Sequence, residues 1–244
     1  MRIAVVIAHP DYVATIIGGT LAKHARAGDE VSVLVLCPGE LGPGTIVYPN
    51  KSREELVRLR VDELDALAKT QRFKSLRVLR EPDTEITNSP ALRLAIGNWL
   101  RETRPDILLT HWIKDAHPDI REAGQAAIDA CLISVLGYLK SDLPPHEVTK
   151  VYTFPIRTAI DFQPDTFVDI SDATDAKFAG IACLDSVVRE LQIFSAATGD
   201  PNRWKEHILA ADLFWGRESG VRYAEAFRQW KQPEGRRALA ALPL

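Results

Sequence analysis

The chain has 244 residues, 46% of them hydrophobic and 26% charged, which suits one large α/β domain with a packed core. Its net charge of −3 carries no basic excess, which argues against nucleic acid or an anionic membrane as a main partner. Three scattered cysteines, Cys37, Cys131 and Cys183, form neither a disulfide framework nor a zinc-finger spacing and read as buried small hydrophobes in a reducing compartment.

Residues 2–8 (RIAVVIA) form a short β-branched run that predicts a buried strand ending at His9-Pro10-Asp11. The run is too short for a signal peptide and no segment reaches the roughly 20 apolar residues of a membrane span, so the cytoplasm is the expected location. A helix over 18–28, closed by Gly28, and a strand over 30–37 complete a βαβ unit with a parallel pair. Residues 38–52, rich in Gly and Pro, read as a functional loop. Leu56, Leu59, Leu64 and Leu67 mark a helix over 53–70, followed by a strand over 76–79 ending near Glu81-Pro82-Asp83. Ser89 and Pro90 read as the cap and first position of a helix to Thr103.

A strand over 106–110 leads to His111, and a long helix is expected over 120–139. Short strands follow at 151–154 and 166–170, then helices at about 173–194, 201–213 and 223–230. This alternation predicts a single domain over 1–244, a Rossmann-like three-layer α/β/α fold with a mostly parallel sheet. Ligands in such sheets bind beyond the carboxyl ends of the strands. That rim collects His9, Asp11, His111, Asp115, His117 and Asp119, whose clustering points to an acid/base or metal site. Trp112, beside His111, reads as a pocket wall. His24, His146 and His207 read as surface residues. Neither G-x-G-x-x-G nor a Walker A motif is present, so no nucleotide cofactor is expected.

The order of these motifs resembles the PIG-L/LmbE-like family of zinc-dependent de-N-acetylases, over most of the chain. The residues that carry the resemblance are Ala8-His9-Pro10-Asp11, Gly18-Gly19, Gly39-Glu40-Leu41-Gly42, Arg60 with Glu63, Pro82-Asp83, Thr110-His111, His117-Pro118-Asp119 and Tyr223-Ala224-Glu225-Ala226-Phe227. The resemblance implies His9 as a zinc ligand, Asp11 as the general base and His117 as an oxyanion stabiliser. Asp119 or Asp115 is expected to assist His117 by fixing its tautomer. Tyr12, Arg60, Asp83, His111 and Trp112 are the candidate substrate contacts, although a helix arginine such as Arg60 is more often a solvated surface residue.

The family's other two ligand positions hold Tyr12 and Ile120, and Ile120 has no donor atom. Tyrosine ligates only as a phenolate, with an ordinary pKa of about 10. One surviving ligand out of three predicts weak zinc retention. Three readings stay open on sequence alone. The first is a hydrolase removing an acyl group from an amino sugar or related small amide, with an altered or absent zinc site. The second is a metal-independent acid/base enzyme, such as a hydratase, lyase or C–C hydrolase, on a small polar substrate. The third is a non-catalytic binder of a small polar molecule. Homo-oligomerisation is open in all three.

Overall fold

A computed structural model describes residues 1–137, 141–156, 159–197 and 199–231. The strands are β1 (Arg2–Ile7), β2 (Glu30–Val35), β3 (Ser75–Val78), β4 (Ile107–His111), β5 (Lys150–Phe154), β6 (Thr166–Asp169) and β7 (Ala224–Gln229). They form one sheet in the order β3-β2-β1-β4-β5-β7-β6. The pairs from β3 to β5 are parallel, and β7 runs antiparallel to both β5 and β6. The helices are α1 (Asp11–Thr15), α2 (Gly18–Arg26), α3 (Pro43–Val47), α4 (Arg53–Thr70), α5 (Pro90–Thr103), α6 (Pro118–Val135), α7 (Thr174–Ile181), α8 (Asp185–Ala196) and α9 (Trp204–Ser219).

Alternation along the strands builds two cores. Ile3, Val5 and Ile7 with Val31, Val33 and Val35 face Leu21, Leu64, Ile181 and Ile208 on one side. Ala4, Val6 and Leu34 face α5 and α6 on the other, through Leu92, Ile96, Ala123 and Ala127. The three-layer architecture expected from the sequence is therefore present. The connection from β1 goes to β2 on one side while β4 pairs on the other, so a switch point opens between the carboxyl ends of β1 and β4.

The predicted bounds of α4 and α5 coincide with those observed, including the Ser89 cap, and Ser52, the last residue of the expected loop, caps α4. The helix expected over 120–139 begins two residues earlier, at Pro118, and ends earlier, at Val135, where Leu136 turns extended; residues 138–139 lie outside the described residues. The loop over 38–52 contains the short helix α3.

Two expectations need correction. The helix expected over 173–194 is two helices, because Leu184 turns into the core and Glu63, from α4, accepts the Ser186 N–H in the first turn of α8 at 2.7 Å. The helix expected over 223–230 is the strand β7. Its Ala-Glu-Gln composition favours a helix, but pairing with β5 and β6 buries Ala224 through Phe227, and tertiary context overrides propensity.

Gly124 lets α6 approach β4 closely: a Cβ there would lie 2.5 Å from the His111 carbonyl oxygen. Gly124→Ala should therefore destabilise the protein by about 1–3 kcal/mol, as overpacked substitutions do, and urea unfolding would measure it.

Candidate active site

His9 leaves the end of β1 and Pro10 starts the turn into α1, so Asp11 is the first residue of that helix. The parallel register of β1 with β2 continues past both strands, through Leu36 N–H to Ile7 O and Cys37 N–H to Ala8 O, each 2.9 Å. Cys37 is thereby carried to the same rim as His9. The segment after β3 follows, with Glu81 N–H donating to Leu36 O at 2.8 Å, and brings in Asp83. On the other side of the switch point His117 caps α6, its Nδ1 accepting the Asp119 N–H at 3.2 Å.

His9 is the hub. Its Nε2 lies 2.9 Å from Asp119 Oδ2 and 3.2 Å from Asp83 Oδ1. Burial alone would lower the imidazole, but hydrogen bonds to Asp119, Asp83 and Cys37 override it and push its pKa up to about 11. Burial works against the two carboxylates as well, and the His9 hydrogen bonds nevertheless hold both below the usual range. Asp119 is fully buried and also accepts from the N–H groups of Thr84 and Ile86, at 2.9 and 3.3 Å.

Asp11 is held by an ion pair with Arg60. Arg60 is not the solvated residue that a helix arginine usually is: it is 0% exposed. It also donates to Ser186 Oγ at 2.8 Å, to Glu63 at 3.2 Å and to Pro38 O at 3.3 Å. Gly39, at φ +74°, passes close to this guanidinium.

The pocket over these groups has a volume of about 790 Å³, and His9, Asp11, Tyr12, Asp83 and His117 are on its wall. His111 and Trp112 are not. His111 is fully buried and its Nε2 accepts the Ala8 N–H at 3.0 Å, so it braces the chain just before His9. The indole of Trp112 donates to Ile160 O at 2.8 Å and lies under Arg228. Arg60 contacts Asp11 rather than the cavity, and Asp119 sits behind His9. Asp115 is buried and accepts the His117 N–H at 2.9 Å. Of the remaining histidines, His207 is exposed, while His24 and His146 are half-buried, bonded to Asp29 and to Pro105 O.

Burial, then the charges of His9 and His117, pull His111 down to a pKa of about 3. Its stabilising neutral form is fully present above the unfolded value near 6.5 and is lost as pH falls toward the folded value. This group alone should remove about 2 kcal/mol of unfolding free energy between pH 7 and pH 5. Urea unfolding at the two pH values should show a smaller acid loss in His111→Gln, which keeps an acceptor for Ala8; equal losses would refute the assignment.

A divalent cation is the group that the motifs suggest, and its fit is read from the donors. Tyr12 and Ile120 do not supply a ligand set, Ile120 being packed in the core against α5. Among the described residues, two other sets do bring three donor atoms within 4.8 Å of one another: His9, His117 and Asp119, and His9, Cys37 and Asp83. The count of a single surviving donor considered only the positions of the sequence motif. Cys37 is buried as expected, but it is also a neighbour of His9, and strand register was the signal that could have revealed it.

Residues 4–131 match the family model PIG-L, described as GlcNAc-PI de-N-acetylase. The chain is 30% identical over 228 residues to a diacetylchitobiose deacetylase of Thermococcus kodakarensis, covering 90% of this chain and 79% of that protein. It is 25% identical over 178 residues to a 4-oxalmesaconate hydratase of Pseudomonas putida, covering 68% and 66%. Among solved structures, the N,N′-diacetylchitobiose deacetylase of Pyrococcus horikoshii superposes with a TM-score of 0.79 at 25% identity, over 94% of this chain and 83% of that one. With the family model spanning more than half of the chain and His9, Asp11 and His117 gathered on one rim, this protein belongs to the PIG-L family of de-N-acetylases.

Proposed function

We propose that this protein is a hydrolase that removes the acyl group from an acylated amino sugar or a related small amide. The observation that carries the reading is the convergence of His9, Asp11, Asp83 and His117 on one pocket, with Asp11 pinned by a buried arginine. The relative at 30% identity and 79% coverage is a deacetylase, a broader match than the hydratase at 25% and 66%, and this weights hydrolysis over hydration.

Asp11 takes the proton of the attacking water as general base and returns it to the leaving nitrogen as the C–N bond breaks, so that a carboxylate and the free amine are released. Arg60 occupies Oδ1 of that carboxylate and fixes its orientation, which leaves Oδ2 for the water. His117 accepts at Nδ1 from the Asp119 N–H, so its neutral form carries the proton on Nε2. That N–H donates to the oxygen of the scissile carbonyl as negative charge develops there. His111 and Asp115 position the two turns through Ala8 N–H and His117 N–H. A divalent ion, when bound beside His9, supplies a lowered water pKa and carbonyl polarisation.

The test is acetate release from N,N′-diacetylchitobiose and N-acetylglucosamine, with Zn²⁺ or Co²⁺ added and again after chelation. Release that depends on the ion is expected. Hydration of an unsaturated acid with no release from any acylated amino sugar would replace the reading. Tight sugar binding without turnover would make the chain a binding protein.

A further inference from the structure

The ligand positions lost at Tyr12 and Ile120 leave the question of what could hold an ion. We propose that His9, Cys37 and Asp83 form a transition-metal site of one imidazole, one thiolate and one carboxylate. The inference concerns the ion alone and stands whether or not the deacylase reading does.

The three donor atoms lie within 4.8 Å of one another, and all three residues are buried. Asp83 and Cys37 have capacity to spare, and His9, bonded to Asp119 and Asp83, offers a lone pair on releasing a proton. Asp83 Oδ2 is held by the Leu41 N–H at 2.9 Å, which leaves Oδ1 directed at His9, 3.2 Å away. Cys37 Sγ accepts the Gly39 N–H at 3.2 Å and is hydrogen-bonded to His9, contacts that favour a thiolate against the burial that pushes the thiol up, and its contact with Glu40 is long, at 3.5 Å. His9 and Asp83 are on the pocket wall while Cys37 lies behind them, so three protein ligands are available and the open side faces the cavity. That division is the one catalytic zinc sites use.

The competing set of His9, His117 and Asp119 is poorer in free lone pairs. His117 Nδ1 is taken by the Asp119 N–H, and its Nε2 carries the proton of the neutral ring. Asp119 Oδ2 already accepts from His9 and from Thr84 N–H, and Oδ1 from Ile86 N–H. Binding at the proposed site needs no redox partner. The ion takes the lone pair of His9 and the thiolate of Cys37, and the protons that they carried pass to solvent. A thiolate with an imidazole suits Zn²⁺ and Co²⁺ better than Mg²⁺ or Ca²⁺.

The experiment is titration of chelator-treated full-length protein with Co²⁺, followed by absorbance. The expected result is saturable binding with a near-ultraviolet thiolate-to-cobalt charge-transfer band. The band should vanish in Cys37→Ser and persist in His117→Gln, and Asp83→Asn should weaken binding by at least tenfold. Circular dichroism checks that each variant folds. If Cys37→Ser does not, X-ray absorption of the zinc-loaded wild type decides, with one sulfur expected among the ligands. A shell of nitrogen and oxygen only, a band lost in His117→Gln, or no saturable binding overturns the proposal.

Discussion

Lys177→Met should cost about 3–5 kcal/mol of unfolding free energy, a large share of the 5–15 kcal/mol typical of a folded domain. Lys177 is 0% exposed and its ammonium lies 2.7 and 3.0 Å from the two oxygens of Asp212 and 2.9 Å from Glu225 Oε1. Glu225 also accepts the Gly19 and Thr20 N–H groups of α2, at 2.9 and 2.8 Å. The triad thus ties α7, α9 and β7 to the first turn of α2. Removing the cation leaves two buried carboxylates facing each other, and that uncompensated charge, not the lost attraction, sets the penalty.

The pH dependence of that loss has a definite sign. Burial, with Glu225 adding repulsion against the opposing pull of Lys177, already raises Asp212 to about 6. An acid whose folded pKa lies above its unfolded value loses stability as pH rises between the two. Without Lys177 the Asp212 carboxyl is pushed further up, so the variant should be closest to wild type at pH 5 and furthest from it at pH 8. Adding Asp212→Leu should recover part of the loss, because Glu225 keeps its two backbone donors. Equal stability of Lys177→Met and wild type at pH 8 in urea unfolding would show that the triad contributes nothing.

Glu225 stands within the Tyr223-to-Phe227 motif, but its pairing with Lys177 and Asp212 was not legible in the chain. Lys177, Asp212 and Glu225 look like ordinary surface charges of two helices and a closing segment, and only the antiparallel placement of β7 turns Glu225 inward. Local signals did carry far where the physics is local. The β-branched runs, the leucine stripe of α4, the Ser89 cap and the paired His-Pro-Asp turns locate the sheet, α4, α5 and the rim of the site. Arg60 went astray because its partners are set by packing: Asp11 is 49 positions away and Ser186 is 126. Asp83 and Cys37 meet His9 only because three parallel strands end side by side, a consequence of register that no single motif states.

Asp11→Asn should lower turnover of the ion-loaded enzyme by about 100- to 10,000-fold, the range that a positioned general base contributes, with little change in KM. The carboxylate is on the pocket wall, and Arg60 sets its orientation from a position that substrate does not reach. The amide keeps an oxygen for Arg60 but cannot accept the water proton. Asp11 belongs to neither three-donor set around His9, so the same variant should bind Co²⁺ as wild type does. This pairing separates a base from a ligand: lost turnover with retained cobalt spectrum assigns the proton transfer to Asp11, whereas lost cobalt binding makes it part of the metal site. Arg60→Lys is the companion variant. It keeps the charge but not the fork that bonds Asp11, Glu63 and Ser186 together, so it should fall between wild type and Asp11→Asn in turnover. Turnover of Asp11→Asn within tenfold of wild type would sink the assignment and leave His117 as the remaining candidate for the proton transfer.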